Sequence, residues 1–253
     1  MMFIEPFTII LAILVALASG MVGSFALMRR MTLAGDAFSH VALPGIGLAL
    51  LYSVNPVLGG ALALLVGAFL IWRVERLTSL NTEAIIGVLF SLSLALGAIA
   101  IEEEHELIET LFGGIEPVTS FEFFFGSILG AAVIWFILRY RHALVLVLVS
   151  KELAKTAGIP IAKIQLYFLL TFALTVIIGM KFLGILLMGA LIIIPAAAAR
   201  NIATNLSGML FTASGISLVS VLSGMGVSHF LEMQSGPVII IIAGMLFILT
   251  LII

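Results

Sequence analysis

Nine long apolar stretches, each near the length that crosses a bilayer, constrain this 253-residue chain more than any other feature. A spanning helix needs about 20 mostly apolar residues, within about 17–25. Such stretches occur at roughly 7–28, 36–54, 57–72, 83–101, 119–138, 161–180, 182–199, 206–230 and 236–253. The third is short. The seventh ends in Pro195 followed by four alanines and Arg200, which marks it as a candidate for a broken or re-entrant segment. Composition points the same way, with 63% hydrophobic and only 9% charged residues. Soluble domains carry about 45–50% apolar and about 25% charged residues. Backbone polar groups in lipid must be satisfied within the segment, so these stretches are helices. The expectation is an all-α, polytopic integral membrane protein with about eight or nine transmembrane helices.

The connecting segments are short, so residues 1–253 read as a single transmembrane domain. The first apolar stretch follows only Met1 to Pro6, without a basic lead or a small-residue cleavage site, and reads as a retained span. Net charge is −2 and the basic residues are scattered, which excludes a nucleic-acid surface. With no cysteine, thiolate metal sites and disulfides are excluded. Lys and Arg favour the cytoplasmic side. With the N-terminus outside and nine alternating spans, Arg29, Arg30, Arg73, Arg76, Arg139, Arg141, Lys151, Lys155, Lys163 and Arg200 all fall inside or at the inner boundary. Only Lys181 falls outside. That orientation puts the acidic run Glu102-Glu103-Glu104-His105-Glu106 outside.

The second span opens on Gly35-Asp36-Ala37-Phe38-Ser39-His40, followed by Val41-Ala42-Leu43-Pro44-Gly45. A central Asp in a span costs about 2.5–3.5 kcal/mol on insertion scales, so it calls for a reason. Asp36 and His40 are four apart, which puts them on one helix face. A carboxylate and an imidazole together suit zinc, manganese or iron(II). The plainer alternative makes Asp36 a helix N-cap and His40 a partner of a neighbouring span. Two ligands also fall short of the four or so that a transition metal takes. A two-fold dimer would supply the rest. Pro44 removes a backbone donor just beyond the pair and is expected to kink the helix.

Two further features carry weaker signals. The run from Glu102 to Glu106, with Glu109 near, is either a solvated loop or an outer funnel that concentrates cations. In the second case Glu102 and His105, joined by His229 at the outer end of the eighth span, would be candidate metal contacts. The segment Ser150 to Pro160 reads as a short cytoplasmic helix stopped by Gly158. It is either an interfacial anchor or a handle for a cytoplasmic partner. No P-loop, no Gly-x-Ser-x-Gly elbow and no His-Glu-x-x-His pair occurs, and no catalytic residues are expected.

Arg29 to Gly45 resembles the signature of the permease subunits of ABC-type importers for zinc, manganese and iron(II), the ABC-3 type: a basic pair, then Gly-Asp-Ala, Ser-His and Leu-Pro-Gly. Gly184 to Arg200 is similar to that family's Leu-Ile-Ile-Pro-Ala-Ala block, and Ser235-Gly236-Pro237 to the opening of its last span. The resemblance implies a homodimer in a prokaryotic plasma membrane, a separate pair of ABC ATPases holding the ATP, and an extracytoplasmic metal-binding protein. It implies that Asp36 and His40 line the path and hold the transported metal transiently, with no permanently bound cofactor. It also implies that Ser150 to Gly158 is the coupling helix, with Glu152, Ala154 and Gly158 at the ATPase contact. The family's coupling segment often begins with an acidic residue where this chain has Ser150. A proton-driven secondary transporter, a permease for metal chelates and an intramembrane hydrolase are the other readings. A wide chelate path would not need the Asp36–His40 pair, and no nucleophile–base constellation supports the hydrolase.

Overall fold

A computed structural model describes residues 5–31, 33–100 and 118–252 of the chain. The described residues fold into eleven helices. In chain order these are α1 (Pro6–Met28), α2 (Ala34–Val41), α3 (Leu43–Leu51), α4 (Pro56–Leu77), α5 (Thr82–Ala100) and α6 (Ser120–Val149). Then follow α7 (Lys151–Thr156), α8 (Ile161–Leu183), α9 (Ile185–Ile202), α10 (Leu206–Leu231) and α11 (Ser235–Thr250). With α2 and α3 taken as one crossing, seven helices are long and apolar enough to span a membrane. Two shorter apolar helices, within α9 and at α11, bring the apolar segments to nine. The chain is an all-α polytopic membrane protein.

α1 is the axis of the bundle, with 72% of its apolar window buried. It packs on α10, α9, α6 and α8. The windows of α4, α5 and α6 are only 28%, 22% and 22% buried, so these helices form the perimeter that lipid or a partner covers. Small residues bring the inner helices together, as expected where lipid supplies no hydrophobic drive between spans. Hydroxyls inside the bundle bond their own helix one turn back, as Ser24 does to the Gly20 carbonyl (2.9 Å) and Thr175 to that of Thr171 (2.8 Å).

Three segments differ from the sequence expectation, each for a physical reason. α4 runs past residue 72 to Leu77, because Arg73, Glu75 and Arg76 end the apolar run without ending the helix. Similarly, α6 does not stop near residue 138 but continues to Val149, 30 residues in all. Arg is a good helix former, and beyond Arg139 the buried Leu144 and Val147 hold the extension against the core. α9 is not broken: Pro195 lies within one continuous helix, Ile185–Ile202. Its neighbours α1, α10 and α11 surround it, the setting in which a membrane helix tolerates proline.

Candidate functional site

The second crossing is a helix in two pieces, interrupted at Ala42. Pro44 stands four residues after His40 and has no N–H to donate to the His40 carbonyl. The interruption therefore falls directly above the pair of polar residues, as the sequence leads one to expect.

Within α2 the side chains of Asp36 and His40 meet, with Oδ1 to Nε2 at 3.8 Å. Two ligands on one tetrahedral zinc, with bonds of about 2.0–2.2 Å, lie about 3.4 Å apart. The pair is thus a few tenths of an ångström from chelating spacing. The Asp36 side chain is 65% exposed and that of His40 only 19%. Asp36 sits in the first turn of α2 and is not its N-cap, which is Leu33; among the described residues its side chain meets only His40. The carboxylate is therefore free of the helix end and projects from the chain. Phe90 of α5 stands edge-on to the imidazole, ring centroids 4.9 Å apart, and closes one side of it. His40 Nδ1 is buried and has no hydrogen-bond partner among the described residues. The open coordination side of the pair is therefore the Asp36 side.

What fixes α2 in place is a glycine contact. Gly35, next to Asp36, faces Gly189 of α9; a Cβ on Gly35 would lie 2.8 Å from the Gly189 carbonyl oxygen. Gly189 lies in the second of the sequence blocks noted above. α5 packs on the same helix and supplies Phe90. On the far side of Pro44, Gly45 of α3 meets the Gly59 carbonyl of α4 more closely still.

The remaining candidates are not brought to this pair. Glu102 and His105 fall outside the described residues. His229 is exposed in the last turn of α10, with Phe230 as its ring neighbour. α10 packs chiefly on α1, α9 and α11. Among the described residues no three His, Cys, Asp or Glu side chains converge, and Asp36 and His40 meet as a pair.

The segment after α6 folds as the expected short helix, α7. Ser150 caps it, its Oγ accepting from the Leu153 N–H at 3.2 Å. Gly158 ends it at φ +71°, a left-handed conformation. The Ile159 N–H bonds the Ala154 carbonyl (2.9 Å) and the Gly158 N–H that of Lys155 (3.1 Å), which is the Schellman pattern. Ala154 is fully buried, whereas Lys151, Glu152, Leu153 and Lys155 are exposed. The helix thus rests on one small residue and presents the others outward. Sequence reading missed Phe90 and Gly189, neither of which carries a charge or a motif that singles it out before the helices are packed.

Comparison with known proteins covers the whole of this architecture. The model of the ABC 3 transport family matches residues 3–253. The chain is 30% identical over 244 residues to the high-affinity zinc uptake system membrane protein ZnuB of Haemophilus influenzae, covering 94% of this chain and 93% of that one. It is 28% identical over 242 residues to the manganese transport system membrane protein MntC of Listeria monocytogenes, covering 94% and 86%. Among solved structures, PsaBC from Streptococcus pneumoniae in complex with Fab superposes with TM-score 0.82 at 28% identity, covering 97% of this chain and 91% of that one. Sequence blocks, helix order and superposition over nearly full length converge: the chain belongs to the ABC 3 transport family.

Proposed function

We propose that this chain is the channel-forming subunit of an ATP-driven importer for divalent transition metal ions: zinc, manganese or iron(II). The observation that carries the reading is a carboxylate inside an apolar crossing, 65% exposed and 3.8 Å from an imidazole. Lipid is a poor neighbour for that group. Membership of a transport family whose relatives include a zinc uptake and a manganese transport membrane protein supports a divalent metal as the cargo. Two copies about a two-fold axis would bring two Asp36 and two His40 together, four ligands with two negative charges for a divalent ion.

In this reading the subunit works as a homodimer in a prokaryotic plasma membrane, N-terminus outside. A metal-binding protein delivers the ion from the outer side, and a pair of separate ABC ATPases binds α7 from the inside. Glu152 and its exposed neighbours make the ATPase contact, with Ala154 seating the helix and Gly158 fixing its exit. Few ligands mean brief binding, which suits a path that must also release. Electrostatic attraction by the acidic stretch from Glu102 to Glu106 would favour cation capture at the outer mouth.

The test is ATP-dependent uptake in proteoliposomes containing this chain and its ATPase, with zinc, manganese and iron(II) offered separately. ATP-dependent accumulation of at least one of them is the expected result. Uptake that persists without ATP and follows a proton gradient would replace this reading with the secondary-transport one. Uptake of a metal chelate but of no free ion would point to the chelate permease instead.

A further inference from the structure

At the inner end of the bundle, α1, α4 and α8 bring a second polar group together, and the metal pair does not use it. Glu75 of α4 accepts a hydrogen bond on Oε1 from Gln165 Nε2 of α8, at 3.3 Å. One turn away on both helices, Trp72 Nε1 donates to the Ala162 carbonyl at 2.8 Å. Arg29, the residue after α1, lays its guanidinium over the Phe168 ring of α8, 5.1 Å from the centroid.

The bonding at this junction is incomplete. Glu75 Oε2 is buried and has no hydrogen-bond partner among the described residues. Burial pushes the Arg29 guanidinium below its ordinary range, and the Glu75 charge pulls it back up, so the two groups feel each other. Even so, among the described residues no ion pair joins them. Arg76, the nearer arginine in sequence, is turned onto the Trp72 ring at 5.0 Å. A carboxylate with one unused buried oxygen and a guanidinium parked on an aromatic face thus meet α8 at Gln165 and Phe168, one turn apart. Each is costly to bury alone, and the cost falls when the two close on one another.

Their positions connect the two working ends of the chain. Ala162 and Gln165 lie in the first two turns of α8, just after α7 and its Schellman stop. Arg29 is separated from α2, which carries Asp36 in its first turn, by residues 30–33. α7 packs on α6 and α8, and from α8 a displacement passes to α4 through Glu75 and Trp72 and to Arg29 through Phe168.

Resting on the import reading above, we infer that Arg29, Glu75 and Gln165 form an inner latch. In one half of the transport cycle Arg29 stays on the Phe168 ring; in the other it closes on Glu75 and ties α1 to α4. These are positioning residues: they touch no metal and set when the metal-bearing helix moves.

A charge-exchange series, read by ATP hydrolysis and uptake in proteoliposomes with the ATPase, tests the latch. Glu75→Gln keeps the acceptor for Gln165 and removes the charge. The expected result is metal-stimulated ATP hydrolysis and uptake reduced about tenfold, with unstimulated hydrolysis and the KM for metal unchanged. Arg29→Glu alone should be as impaired. The double exchange Arg29→Glu with Glu75→Arg should recover to within threefold of the unaltered protein. Full uptake by Glu75→Gln, or no recovery in a folded double exchange, overturns the latch.

A second measurement stands apart from metal movement. The chain has no cysteine, so Arg29→Cys with Glu75→Cys places the only thiol pair where the latch closes. Its oxidative cross-linking rate should differ at least fivefold between nucleotide-free and ATP-bound assemblies. Equal rates overturn the proposal. If the unaltered protein binds the ATPase but moves no metal, the import reading fails by itself while the cross-linking result still decides the latch.

Discussion

In the proposed site Asp36 and His40 would supply two of the roughly four ligands that a tetrahedral ion takes, and each residue has a separable part. Asp36 brings negative charge on an exposed side chain; His40 brings a nitrogen held against Phe90. Asp36→Ala and His40→Ala are each expected to lower uptake by at least 100-fold, with helicity by circular dichroism and assembly by size-exclusion chromatography unchanged. Wild-type uptake by either variant would remove that residue from the path. Phe90→Ala should be milder, a several-fold rise in the KM for metal, because it frees the imidazole without removing a ligand. The pair itself was legible in the sequence, since polar residues four apart in an apolar run stand out. Phe90 was not: one phenylalanine of 18 acquires meaning only when α5 is laid against α2. Nor was Glu75, which reads as one more charge at the end of a span until its buried oxygen and Gln165 are seen together.

Among the helices, two glycines do different work. Gly158 adopts φ +71° with nothing within 4 Å of where a Cβ would stand, so its need is conformational, not steric. Gly158→Ala should cost the α7 exit about 1 kcal/mol, corresponding to about a fivefold loss in a coupled step. The measurement is metal-stimulated against basal ATP hydrolysis; an unchanged ratio would move the ATPase contact away from α7. Gly35 is the opposite case, ordinary in backbone but without clearance from Gly189. Gly35→Leu should push α2 off α9 and lower the melting temperature by several degrees, where a loop substitution such as Ser79→Leu does not. Helix existence followed from hydropathy, and the breaks expected at Arg29-Arg30, Asn55-Pro56, Arg200 to Asn205 and Glu232 to Gly236 fall at helix ends. The extents of α4 and α6 did not follow, because arginine and glutamate lower hydropathy while leaving helix formation intact. Pro195 misled for a related reason: a proline breaks an isolated helix, but α9 is enclosed by neighbours.

For the whole molecule, the loops that carry the cations predict the orientation. Ten of the eleven Lys and Arg residues belong to one side when nine spans alternate from an outer N-terminus. The absence of cysteine makes this directly measurable. A single Lys155→Cys on α7 should react with a membrane-impermeant maleimide only in inverted vesicles, and a single Met233→Cys, between α10 and α11, only in right-side-out ones. The reverse pattern would turn the protein over and place α7 away from any cytoplasmic ATPase.

The length of α6 carries one more consequence. Thirty residues at 1.5 Å each make a rod of about 45 Å, against a hydrocarbon layer of about 30 Å. In the proposed orientation Arg139 and Arg141 would mark where that rod leaves the apolar layer, and its last two turns, with α7 at their tip, would stand among and below the lipid headgroups. Any engine gripping α7 therefore works at a stand-off set by bilayer thickness. Longer acyl chains would draw that stalk inward and shorten the throw, so turnover should peak at one lipid length and decline on either side of it.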